Sequence, residues 1–148
     1  MLLAPLRALR SLHSLRLAPV LGLAHFGHLL ALLMSALLLT FAELGESKSW
    51  AHIRWMDVAG EGGMVLMAAI WLVQLRSSRP AGRVTSLLCL GLGAMLLGEW
   101  IDVLDEGWQL PKAMVWDNWL ESALVPLGML VLTVGLQHWR EEQLALND

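Results

Sequence analysis

Fourteen consecutive residues, Val84 to Leu97 (VTSLLCLGLGAMLL), carry no charge, and the apolar stretch that holds them runs on to Leu104. Three more such stretches lie at about Pro19–Ala42, Val58–Leu75 and Trp119–Trp139, the second being the shortest. A helix rises 1.5 Å per residue, so about 20 apolar residues cross the roughly 30 Å of hydrocarbon in a bilayer. The chain has 148 residues, 57% of them apolar and 16% charged, against about 25% charged in a soluble domain. One small core cannot hide that excess, and lipid has to take it. The expected fold is an all-α integral membrane protein, with four transmembrane helices in an antiparallel bundle over residues 19–140. A short amphipathic helix over 1–18 precedes it, and a cytoplasmic tail over 141–148 follows.

The first segment, MLLAPLRALRSLHSLRLAP, has three arginines and no acid. Arg7, Arg10, His13 and Leu17 fall near one helical face, with leucines over much of the remainder. This pattern suits a helix lying on an anionic membrane surface; retention charges ahead of the first span explain it equally well. A cleaved secretory signal is a poor reading, because the apolar run after Arg16 is too long and ends in no small-residue site. Cys89, alone, has no partner for an intrachain disulfide.

Basic residues in short loops set membrane orientation. Arg7, Arg10, Arg16, Arg76, Arg79, Arg83 and Arg140 fall on one side of the four spans, and Lys48, Arg54 and Lys112 on the other. Both termini are therefore expected in the cytoplasm of a bacterial cell, with the protein in the inner membrane. Ten of the thirteen acids take the opposite side, and six of the eight tryptophans mark the same boundary, as indoles do at a lipid–water interface.

Acids contribute little to orientation, so their segregation invites another explanation. Glu43 and Glu46 close the first span. Asp57 and Glu61, four apart, share a face at the start of the second. Glu99, Asp102 and Glu106 share a face at the end of the third, followed by Asp105; Asp117 and Glu121 open the fourth. In a bundle these faces converge in one outward-facing acidic bowl. Carboxylates that close repel one another, and relief comes from protons, from a bound cation, or from Arg54 and Lys112. Calcium or magnesium suits oxygen ligands. The candidate proton or cation site is Glu61, Glu99, Asp102, Glu106, Asp117 and Glu121. The plainer alternative is a set of solvated helix ends. The helix dipole favours Asp57, Glu61, Asp117 and Glu121 at N-termini, but it disfavours Glu99, Asp102 and Glu106 at a C-terminus.

His25 and His28 stand one turn apart in the first span, with His138 at similar depth in the fourth. Histidines from two membrane helices can ligate haem; helix packing or interfacial placement is the simpler account. Gly91, Gly93, Ala94, Gly98, Gly128 and Gly135 allow close helix approach, Gly60, Gly62 and Gly63 surround Glu61, and Pro126 interrupts the fourth span. No phosphate-binding loop, Gly-x-Ser-x-Gly, His-Glu-x-x-His or Cys-x-x-Cys is present. No enzyme activity is expected, and no nucleic-acid partner.

The stretch LGEWIDVLDEGWQLP followed by DNWLESALVPLGMLVLTVGLQHWREEQLALN resembles the membrane-embedded N-terminal region of some bacterial diguanylate cyclases and related histidine kinases. The matching residues are Asp102, Asp105, Glu106, Glu121, Pro126, Gly128, Gly135, Leu136, Trp139 and Glu142, and the resemblance covers roughly residues 91–147. It implies a sensory or signal-relaying membrane module. The sequence ends at Asp148, where such proteins begin their cytoplasmic output domain, so cyclic-dinucleotide synthesis is not implied. The expected function is a non-enzymatic sensory or regulatory module that works through a cytoplasmic partner, as a homo-oligomer or within a larger complex. The alternative is a small accessory subunit of a larger membrane complex. A cation carrier fits less well, because no charge lies at mid-membrane.

Overall fold

The computed structural model describes residues 23–112, 114 and 116–147, with the side chains of 23, 24, 117, 118 and 121 left aside. The amphipathic segment expected over 1–18 lies outside the described residues. Four helices follow in order: α1 (Leu23–Leu44), α2 (Trp55–Ser78), α3 (Arg83–Gly107) and α4 (Trp116–Asn147). All four are long and apolar enough to cross a membrane. Lipid offers no hydrogen bonds, so the backbone must satisfy itself, which a helix does along its whole length. Side-chain hydroxyls do the same: Ser35 donates to the Ala31 carbonyl, Thr40 to Ala36 and Thr133 to Met129, each at 2.8 Å.

The helices overrun the apolar stretches. α2 has 24 residues, beginning three before Val58 and ending three after Leu75. α4 has 32, passes through Pro126 and continues to Asn147 through the segment read as a tail. At 1.5 Å per residue it is about 48 Å long, more than the hydrocarbon needs. Pro126 has no N–H, so the Ser122 carbonyl loses its usual donor while the helix carries on. α2 stops where Arg79 meets Pro80: the proline ring disfavours helical backbone before it, and Arg79 is extended at φ −124°, ψ 142°. Thr85 Oγ1 donates to the Pro80 carbonyl at 2.8 Å and closes the turn into α3.

α3 is the hub. Half of its apolar window is buried, against 11% for each of the other three. Leu92 and Leu96 pack with Leu30 of α1 and with Ala68 and Leu72 of α2. Further along, Ile101 and Leu104 pack with Phe41 of α1 and with Leu110. Trp100 Nε1 donates across to the Met34 carbonyl of α1 at 3.1 Å.

The seam between α3 and α4 is made by glycine. Among the described residues no glycine has positive φ, so close approach is the reason for them here. A Cβ on Gly91 would lie 2.8 Å from the Gly128 carbonyl oxygen, and one on Gly128 would lie 2.7 Å from the Gly91 oxygen. Gly98 meets Val125, Gly135 meets Leu88, and Gly93 meets the Phe26 ring. Gly60, Gly62 and Gly63 have nothing within 4 Å of a Cβ.

A two-residue antiparallel bridge pairs Glu46 (β1, Glu46–Ser47) with Gln109 (β2, Trp108–Gln109). It joins the segments following α1 and α3, which we call the acidic end. The opposite, arginine end holds the turn between α2 and α3. There Arg79 reaches Glu142 at 3.3 Å, its guanidinium lies 5.2 Å from the Trp139 ring centroid, and Arg76 presses on Gly27. The outward faces carry Leu32, Leu39, Leu66, Val73 and Leu130, all exposed, as lipid contact requires.

Candidate functional site

The end of α3 is where carboxylates are hardest to place. A helix C-terminus presents unpaired carbonyls and the negative end of the dipole. Four acids follow within eight residues there: Glu99, Asp102, Asp105 and Glu106. The structure resolves the conflict with the segment between α1 and α2, which wraps the terminus with donors. The Lys48 backbone N–H bonds the Gly107 carbonyl at 3.0 Å. The Lys48 ammonium donates to the Asp105 carbonyl and lies 3.8 Å from the Asp105 carboxylate. Arg54 donates through Nη2 to Glu106 Oε1, and the Arg54 backbone N–H also meets that carboxylate.

The Arg54–Glu106 pair is asymmetric. The Glu106 side chain is 5% exposed and that of Arg54 is 71% exposed. One partner is thus built into the helix bundle and the other reaches in from water. Arg54 also holds Asp57 through Nη1 at 2.9 Å, and as the N-cap residue of α2 it starts that helix. The hydrogen bond to Glu106, with the Asp57 charge second, keeps the Arg54 guanidinium above its ordinary pKa. It remains a cation at any pH a membrane survives.

Glu61 sits half buried one turn beyond Asp57, and its Oε2 is buried without a hydrogen-bond partner. The charges acting on it are those of Asp102, Glu106, Asp57 and Arg54. Glu61 of α2 thus lies within electrostatic reach of Asp102 and Glu106 of α3. Glu99 is half buried one turn before Asp102 in α3, outside that set of charges. The side chains of Asp117 and Glu121 lie outside the described residues. Among the described residues, no group of three histidine, cysteine or carboxylate side chains is arranged to hold a metal ion. His25 and His28 are exposed on α1, and His138 Nδ1 lies 3.1 Å from Glu141 Oε2 on α4.

The half of α2 that Arg54 starts is only partly buried, with Val65 its contact to the core. The buried residues of α2 are Ala68 and Leu72, both in the half toward the arginine end. From Trp55 to Met67 no residue is buried, and the three glycines there face open space. Sequence reasoning singled out Arg54 as a counter-charge but missed Lys48, whose partner is a backbone carbonyl. The available signal was KSWAHIR, which brings Lys48, His52 and Arg54 into one short connection beside an acidic helix end. No family model, curated protein or solved structure matches the chain.

Proposed function

We propose that this protein is a non-enzymatic sensory or regulatory module of the bacterial inner membrane, an antiparallel four-helix bundle with both termini in the cytoplasm. Its receiving site is the outward-facing acidic end. Protons or a divalent cation compete with Arg54 for Glu106 and its neighbours Glu61 and Asp102. Release of Arg54 frees the outer half of α2, and the change passes to the cytoplasmic extension of α4, GLQHWREEQLALN, which a partner protein reads. On this reading its role is like that of the sensory membrane regions of diguanylate cyclases and histidine kinases, which the stretch 91–147 resembles. The observation that carries the reading is the pairing of a water-exposed arginine with a buried glutamate at the foot of a helix half that has no fully buried residue.

Hydrogen–deuterium exchange on the purified protein in micelles tests it. Arg54→Gln and Glu106→Gln should each speed exchange over residues 55–67 and leave 68–76 unchanged. Acid or calcium should push the wild type toward the same pattern. Wild-type exchange that ignores both acid and calcium removes the sensory reading. Purification as a stoichiometric complex with larger membrane proteins would favour the accessory-subunit alternative.

A further inference from the structure

A cleft of about 400 Å³ opens at the acidic end, lined by Lys48, Ser49, His52, Arg54, Glu106 and Gln109. Its lining carries two cations and one carboxylate, Glu106, which is buried and paired with Arg54; Asp105 beside Lys48 and Asp57 beside Arg54 offset the cations from outside the lining. The remaining hydrogen-bonding capacity of the lining is largely donor. An ammonium carries three hydrogens and a guanidinium five N–H groups, more than Lys48 and Arg54 spend on Asp105, Asp57 and Glu106. Ser49 Oγ and His52 Nδ1 are 2.6 Å apart, which fixes the imidazole and leaves its other nitrogen for a further bond. The Gln109 amide adds two N–H groups.

We propose that this cleft binds a phosphate group. The donors come from several directions: the start of the connection (Lys48, Ser49), its short 3-10 turn (His52), the cap of α2 (Arg54) and the strand after α3 (Gln109). A tetrahedral oxyanion uses such an arrangement; a planar carboxylate is served by a single two-pronged donor. The phosphate is either that of a lipid headgroup or free phosphate in solution. The cleft lies at the ends of membrane-length helices. Beside it Trp50 and Trp55 stack with centroids 5.3 Å apart and stay exposed, as indoles do at a lipid–water interface. The proposal shares Arg54 and Glu106 with the sensory reading but does not need it, because it uses the cleft with that pair intact.

The test uses the full chain in maltoside micelles, which contain no phosphate. Radiolabelled inorganic phosphate is followed by equilibrium dialysis, and dihexanoyl phosphatidylglycerol by native mass spectrometry. One saturable site is expected in at least one arm. Lys48→Gln should weaken it about tenfold, as the loss of one charge-assisted hydrogen bond does. His52→Gln, at an exposed ring that holds no helix, should weaken it in the same direction. Arg83→Gln, exposed at the opposite end, should leave it unchanged. Saturation by inorganic phosphate assigns a free anion, and saturation by the lipid alone assigns a headgroup. No saturable binding in either arm, or binding that both Lys48→Gln and His52→Gln leave untouched, overturns the proposal.

Discussion

Adding one methyl group to a helical glycine should have opposite effects at two places in this protein. At Gly91 the new Cβ would meet the Gly128 oxygen and the Leu132 nitrogen at 2.8 Å and the Leu132 Cα at 3.0 Å. An ordinary contact needs about 3.5 Å, so the shortfall is roughly 0.7 Å. The obstructing atoms are backbone, which no rotamer change can move. α3 and α4 must therefore separate, which loosens Gly98 from Val125 and Gly135 from Leu88 along the same seam. Overpacking of this kind costs about 1–3 kcal/mol. Alanine returns at most about 1 kcal/mol through its better helix propensity. The net expectation for Gly91→Ala is a loss of about 1–2 kcal/mol. Gly128→Ala, at 2.7 Å from the Gly91 oxygen and 2.9 Å from the Met95 nitrogen, should match it. The double substitution should cost less than the sum, because the first opens the space that the second needs. At Gly63 a Cβ meets nothing, so Gly63→Ala should be neutral or stabilising by up to about 1 kcal/mol. Thermal unfolding of the four variants in one detergent decides the matter. Gly91→Ala as stable as wild type, or Gly63→Ala as damaging as Gly91→Ala, would refute the seam.

Trp100→Phe removes the hydrogen bond to the Met34 carbonyl while keeping most of the ring, and should destabilise by about 1 kcal/mol in the same melts; an unchanged midpoint would mean that the bond is not formed. Arg79→Lys keeps the charge but loses the planar guanidinium over Trp139 and its approach to Glu142, so amide exchange over residues 140–147 should quicken while residues 125–135 hold. For orientation, reporter fusions at Arg79 should read cytoplasmic and at Ser47 external, from the seven-to-three split of basic residues; a cytoplasmic signal at Ser47 would invert the frame.

The four spans were legible because a run without charge, such as Val84–Leu97, admits few other homes. Their ends were not, because hydropathy marks the width of the oil and a backbone helix does not stop there. Trp55, Met56 and Asp57 belong to α2 although Asp57 is too polar for lipid, and α4 passes both Trp139 and a proline. The packing role of Gly91, Gly98, Gly128 and Gly135 was readable from composition, but which faced which was not. The same reasoning could not separate them from Gly60, Gly62 and Gly63, which meet nothing. The i, i+3, i+7 spacing placed Glu99, Asp102 and Glu106 on one face of α3. It could not say that Glu106, closest to the helix end, would be the most deeply buried. That follows from the segment 45–54 folding over it, held by Lys48 on backbone carbonyls that have no signature in sequence.

These contacts also limit what can move. The α3–α4 seam is backbone against backbone, so sliding there carries the overpacking cost worked out above. α1 is fixed to α3 by Leu30, by Phe41 and by the Trp100 hydrogen bond. α2 differs, because its buried residues are Ala68 and Leu72, with Val65, Ala69 and Leu75 packed partly buried beside them, and its two tips are tied by arginine, Arg54 to Glu106 and Arg79 to Glu142. In the proposed relay, loss of the first tie frees the stretch from Trp55 to Met64, which has no fully buried residue and three glycines in open space. A helix is continuous, so tilting one half bears on the other, which ends at Arg79 against Trp139 and Glu142 of α4. In the proposed relay, α2 is therefore the element that carries a change across the membrane, and α3 is the fixed post it moves against. The resemblance to signalling modules drew attention to α4 as the output. In the proposed relay α4 is the last link, reached through Arg79 and not through its own seam.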